Sequence, residues 1–290
     1  IYKRDEDGIV LIDENKCRGW RECVSACPYK KIYFNWQRKR SEKCIFCYPR
    51  IENGVTTVCS ETCVGRIRYV GVMLYDEDRI QEYASAKDPK TLYEAQLALF
   101  LDPEDPEVAR AALAGGISQK IIDAAIDSPV RKLISRWKVA FPLHPEYRTL
   151  PMQWYIPPLS PVVSTEADKA DTIPTAEQMR IPVKYIANML TAGNEQPVRR
   201  ALERLVALRL IRRALRLGQT PDPALYSMTG VGEEEFESMY RLLAIANYED
   251  RFVIPTERVD KAESPFAIRS QIGFPKPRGK VNPTNLFGGM

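Results

Sequence analysis

Cys17-Arg18-Gly19-Trp20-Arg21-Glu22-Cys23-Val24-Ser25-Ala26-Cys27-Pro28 decides how the rest of the chain is read. A second run of thiols follows at Cys44, Cys47, Cys59 and Cys63, and the 290 residues contain seven cysteines in all. Disulfide staples come in even number and are normally spread through a domain. An odd set crowded into one short region reads instead as metal or cluster ligation. The same region is cationic. From Lys16 to Arg68 there are twelve Lys or Arg and four Asp or Glu, a local balance of +8 in a chain whose net charge is +4. Excess positive charge suits a site that gathers thiolates and sulfides. The competing reading is a solvated basic face of the kind that binds nucleic acid.

The spacing of the first run is that of the bacterial ferredoxin signature C-x2-C-x2-C-x3-C-P, with Trp20 at its second position. In that signature three cysteines grip one cubane and the fourth serves a neighbouring cluster. By that logic Cys17 and Cys23 belong to one cluster and Cys27 to another, with Pro28 ending the turn. Indole cannot supply a thiolate, so one iron corner loses its protein ligand and a [3Fe–4S] centre is the expected outcome. The plainer alternative makes Trp20 a buried aromatic in a site completed by another ligand. In the second run, Cys44, Cys47 and Cys59 are expected to serve one cluster and Cys63 another. Taken alone, that run also fits a four-cysteine zinc module, even one that binds nucleic acid. Zinc does not explain the first run. Four clusters, one of them three-iron, need about fifteen thiolates, so the missing ligands are expected on a partner half upstream of Ile1. The opening Ile1-Tyr2-Lys3, without Met, is read the same way, as an amino-terminally incomplete sequence.

Outward from the cysteines, Gly8–Asp13 and Ile67–Tyr75 read as strands entering and leaving a ferredoxin-like half. Helical spacing marks residues 77–86, 90–100, 105–114, 118–126 and 129–140, punctuated by Asp-Pro and Ser-Pro breaks. From Phe141 to Pro161 the chain carries six prolines and is expected to lie extended over a surface of this chain or of a partner. Residues 182–191, 195–217 and 233–248 form a second helical block. There Leu202, Leu205, Val206 and Leu208 make an apolar face beside the cationic side of Arg209. The expected fold class is α+β. Its divisions are a ferredoxin-like cluster-binding region at 1–76, a helical region with the Pro-rich segment at 77–160, a helical region at 161–254 and an extended tail at 255–290 on a partner subunit.

Composition is ordinary for a globular chain, 44% hydrophobic and 28% charged. No apolar run approaches the roughly 20 residues that span a bilayer. The single histidine, His144, has no second histidine to form a metal site and is expected to be structural. No phosphate loop, dinucleotide fingerprint or nucleophile elbow occurs. Acidic residues sit at helix starts, where they suit capping. A chain built this way is expected to move electrons, with no substrate-converting or substrate-binding site of its own.

Several longer stretches carry a resemblance. Cys17–Arg21, Cys27–Trp36, Ser41–Arg50, Val58–Arg68, Leu143–Pro151 and Ala246–Phe252 are similar to the β (iron–sulfur) subunit of respiratory nitrate reductase, over nearly the whole chain. The resemblance implies that Cys17 and Cys23, with one upstream cysteine, hold a [3Fe–4S] cluster. It implies that Cys27 is the last ligand of a [4Fe–4S] cluster whose other ligands lie upstream. Cys44, Cys47 and Cys59 would hold a second with one upstream cysteine, and Cys63 would complete a third, nearest the catalytic subunit. The implied partners are a molybdenum-containing α catalytic subunit and a membrane haem b γ subunit, with no nucleic acid. The implied role is relay of electrons from quinol to nitrate in anaerobic respiration, peripheral on the cell membrane, at the cytoplasmic face of a bacterium. Related β subunits, of nitrite oxidoreductase or of dimethyl sulfoxide, selenate or chlorate reductases, are the nearest alternative.

Overall fold

A computed structural model describes residues 1–4, 8–158 and 181–255, and the backbone of 273–274. Within it the chain is α+β, with four two-stranded sheets among the described residues and helices along most of the rest.

The cysteine region is built from short pieces. Strands β1 (Tyr2–Lys3) and β2 (Val10–Leu11) pair antiparallel. Helix α1 (Glu22–Ala26) follows, then a hairpin of β3 (Ile32–Asn35) and β4 (Arg40–Lys43). The hairpin turns where it does because Asn35 Oδ1 accepts from the Gln37 and Arg38 N–H groups at 3.0 and 3.1 Å. An asparagine closing a turn on its own following backbone is a local folding signal. Two further turns, α2 (Tyr48–Ile51) and α3 (Val58–Glu61), carry the second cysteine run.

The expected strand over Ile67–Tyr75 is interrupted. Strand β5 (Arg68–Val70) ends before Gly71, and β6 (Tyr75–Asp76) pairs elsewhere, in parallel with the backbone of Gly273–Phe274. The cause is close packing: a Cβ on Gly71 would stand 2.5 Å from Ser128 Oγ and 2.7 Å from Val130 Cγ2. Strand β7 (Gln153–Tyr155) comes from the Pro-rich stretch and pairs antiparallel with β5, aligning Tyr69 with Trp154. That stretch therefore lies on this chain's own core, with Phe141 and Trp154 fully buried. Pro151 and Pro157 bracket β7, as expected of residues that cannot donate to a ladder.

Helices α4 (Ile80–Ala84), α5 (Leu92–Leu97), α6 (Pro106–Ala114) and α7 (Gln119–Asp127) follow the predicted periodicity. Asp105 caps α6 by accepting from the Glu107 N–H. The helix expected over 129–140 is shorter: α8 (Pro129–Arg131) widens into a π turn over Lys132–Arg136, and Val139–Phe141 turn inward as core. In the second block, α9 (Val183–Leu190) leads to α10 (Glu195–Arg216), capped by Asn194. Helix α11 (Pro223–Thr229), capped by Asp222, was not expected from the periodicity. The helix expected over 233–248 is α12 (Glu233–Tyr240) with a π turn to Ile245; it breaks at Ala246 before α13 (Tyr248–Arg251).

One core joins these parts. Tyr69 from the cysteine region, Val130–Phe141, Trp154, Val183–Leu190 and the inner face of α10 pack together with Phe236 and Met239. The regions at 77–160 and 161–254 both contribute to it, and two smaller clusters are separate from it, one around Leu74, Val108 and Ile122 and one around Tyr75, Tyr83 and Leu92. Apart from Gly273–Phe274, the tail and most of the segment after Pro158 lie outside the described residues. No helix among the described residues is long and apolar enough to cross a membrane.

Candidate iron–sulfur ligand site

All seven cysteines are free thiols at least partly open to solvent. Ser41, buried on β4, draws the first two together. Its N–H donates to Cys17 Sγ at 3.5 Å, and the Cys23 thiol donates to its hydroxyl oxygen at 3.3 Å. The chain between them bends through left-handed positions at Gly19 (φ 72°) and Arg21 (φ 66°). At Gly19 a Cβ would stand 3.0 Å from the Lys39 carbonyl oxygen, so the loop closes tightly onto the hairpin. Backbone N–H groups of Ser41 and Gly19 pull the Cys17 thiol below its ordinary pKa.

Trp20 lies between these two cysteines and is 78% exposed. Among the described residues the indole packs in no core. It occupies the position of a ligand without being able to act as one. Trp36 is also exposed, and Arg21 stacks over the Phe34 and Trp36 rings at 5.7 and 5.1 Å.

Cys27 ends α1, and the N–H of Lys31, followed by those of Tyr29 and Lys30, lowers its pKa against the opposing effect of burial. Lys43 sits in the field of both Cys44 and Cys27, which ties the first run to the second. Burial depresses the Lys43 ammonium, while the two thiols act in the opposite sense; its Nζ also donates to the Cys44 carbonyl at 2.8 Å. Cys44 Sγ accepts from the Phe46 N–H at 3.3 Å, and Phe46 and Cys47 are both left-handed, with φ 54° and 49°. Burial pushes the Cys59 thiol up, but contacts from Thr57 Oγ1 (3.4 Å) and Gln153 Nε2 (3.8 Å), with the charge of Arg68, leave it lowered overall. Cys63 starts the turn closed by the Arg66 N–H on its carbonyl at 2.9 Å.

Donors aimed at thiolates, left-handed loop residues and a cationic surround suit a cluster that brings its own negative charge. The residues present fit such a group in donor chemistry. Tetrahedral zinc would hold its sulfurs about 3.8 Å apart; among the described residues, no three His, Cys, Asp or Glu side chains gather as a site for a single ion.

Residues 1–73 match the 4Fe-4S dicluster domain, and residues 159–233 match the respiratory nitrate reductase beta C-terminal family. The respiratory nitrate reductase 2 beta chain of Escherichia coli K12 is 58% identical over 94% of this chain and 54% of its own length. The nitrate reductase beta chain of Bacillus subtilis is 53% identical over 94% of this chain and 58% of its own. The respiratory nitrate reductase beta chain of a Bradyrhizobium species is 45% identical over 90% of this chain and 76% of its own. The chain belongs to the respiratory nitrate reductase β-chain family. It spans just over half the length of the first two relatives.

Within this β-chain family member, the structure adds residues that the cysteine pattern did not indicate. Ser41, Thr57, Lys43 and Arg68 lie near cysteines in sequence but carry no motif. Gln153 reaches Cys59 across 94 positions, a contact made only once β5 and β7 pair. The His144 ring contacts Glu146 at 2.7 Å and stacks on Tyr147.

Proposed function

We propose that this chain is the downstream half of an electron-transfer subunit of respiratory nitrate reductase. The observation that carries the reading is the Ser41-centred pair of Cys17 and Cys23 with an exposed Trp20 between them. When bound, iron–sulfur clusters supply one-electron transfer. In this reading Cys17 and Cys23 hold a [3Fe–4S] cluster with one upstream cysteine, and Trp20 leaves the fourth corner without a ligand. Cys27 closes one [4Fe–4S] site, Cys44, Cys47 and Cys59 provide most of a second, and Cys63 closes a third. The backbone donors at Cys17, Cys27 and Cys44 stabilise negative charge on sulfur, and Lys43, Arg68 and Arg66 add cationic counterweight.

The chain itself converts no substrate. It would pass electrons from a membrane haem b γ subunit to a molybdenum α subunit that reduces nitrate to nitrite, remaining peripheral to the membrane, on its cytoplasmic face. The four divisions at 1–76, 77–160, 161–254 and 255–290 serve this role as cluster holder, supporting core and partner-binding tail.

The test is purification of the full-length protein under anaerobic conditions from its source membranes. Copurification with a molybdenum subunit and reduction of nitrate by the assembly are expected. A preparation that carries zinc and no iron, or that reduces another oxyanion and not nitrate, would overturn the reading.

A further inference from the structure

The segment Ala246–Phe252 lies far in sequence from every cysteine, yet it straps the turn that carries Cys59 and Cys63. On one side, the Thr56 N–H donates to the Tyr248 hydroxyl oxygen at 2.9 Å. On the other, Arg66 Nη1 reaches the Ala246 carbonyl at 3.4 Å. The Phe252 ring bridges Tyr248 and Tyr69, with centroids at 5.2 and 6.4 Å.

Inside this strap lies a buried cation with no ion pair among the described residues. Arg251 is 8% exposed, and its Nε and Nη2 have no hydrogen-bond partner among the described residues. It stacks over Phe252 at 4.8 Å. Asp250, the adjacent acid, is engaged in the capping box of α13 with Asn247. The Tyr69 hydroxyl is likewise buried and unpartnered. Burial pushes Tyr69 up to about 12, with Arg251 and Arg66 acting against the rise and Cys63 adding to it. These four groups therefore share one electrostatic neighbourhood.

An unpaired guanidinium in a protein interior costs several kcal/mol, so its burial calls for a negative group. We propose that Arg251, with the Tyr69 hydroxyl, forms the buried cationic wall of the cluster site that Cys63 completes, and that its charge raises that cluster's reduction potential. The inference rests on the iron–sulfur reading above. The physical reason is direct: the reduced cluster carries one more negative charge, and a nearby cation in a low-dielectric surround favours it. Arg251 is a positioning and tuning residue, since it ligates no iron.

The experiment is an EPR-monitored redox titration of the full-length protein in its complex, comparing Arg251→Gln and Arg251→Lys. The relevant cluster is the one whose signal changes in Cys63→Ser. Arg251→Gln is expected to lower its reduction equilibrium constant at least tenfold, about 59 mV for a one-electron couple. Arg251→Lys should keep it near the wild-type value, and the other clusters should hold. An unchanged midpoint in Arg251→Gln, or equal shifts in the Gln and Lys variants, would overturn the proposal. Should Arg251→Gln fail to load the cluster, Tyr69→Phe removes only the hydroxyl and is read in the same way, a fall supporting and no change refuting. Wild-type protein without iron–sulfur signals would instead defeat the reading beneath it.

Discussion

Trp20 occupies a position where the ferredoxin spacing calls for sulfur, and its exposure leaves room there for a smaller ligating side chain. Changing Trp20 to Cys in the full-length protein should therefore favour a four-iron cube and lower the potential at that site. Low-temperature EPR of the oxidised protein checks this, because the three-iron signal should be lost; its retention would mean that cluster type is set elsewhere. The candidate ligands are proposed from the sequence because sulfur spacing is a local property of a turn. Ser41 and Arg251 are not. A serine in a strand and an arginine in a short helix carry no pattern, and their meaning comes only from what the fold places beside them.

Among the elements, the helices were the most legible, because an amphipathic repeat records which face is buried. Helix α10 buries Val198, Ala201, Leu202, Leu205 and Val206 on the face that the spacing indicated. Each fully buried Val or Leu there contributes about 1.5–3 kcal/mol. Elements fixed by distant partners were harder to read. Strand β7 sits between prolines and exists because β5 pairs with it, and the end of α8 is set by the inward turn of Val139–Phe141 rather than by a local breaker. Gly71 marks the same effect in β5. Gly71→Ala should force a methyl against Ser128 and Val130 and destabilise the chain by about 1–3 kcal/mol. Denaturant unfolding measures this, and a midpoint equal to wild type would show that the close approach relaxes freely.

At the scale of the whole molecule, one large shared core with two smaller apolar clusters supports a loosely covered, cationic, thiol-bearing end. Trp20, Tyr33, Trp36, Ile45, Val58 and Val64 are all exposed there, an apolar surface beside the candidate ligands. Three thiols at that end are biased towards thiolate: backbone N–H groups lower Cys17 and Cys27, and Thr57, Gln153 and Arg68 outweigh burial at Cys59. A depressed folded pKa contributes stability that is present above the unfolded value and is lost as pH falls through the folded one. Thiolate absorbance of the cluster-free chain should thus appear at lower pH when folded than in denaturant, and coincident curves would contradict it. Cluster loading should weaken on acidification for the same reason. The central proposal is that this chain holds seven of the roughly fifteen thiolate ligands of a multi-cluster wire with one three-iron member. Its most direct test is low-temperature EPR, with iron and sulfide analysis, of the full-length protein prepared anaerobically. The account predicts a three-iron signal in the oxidised protein and several four-iron signals on reduction. Iron–sulfur protein lacking any three-iron signal, or zinc in place of iron, would contradict it.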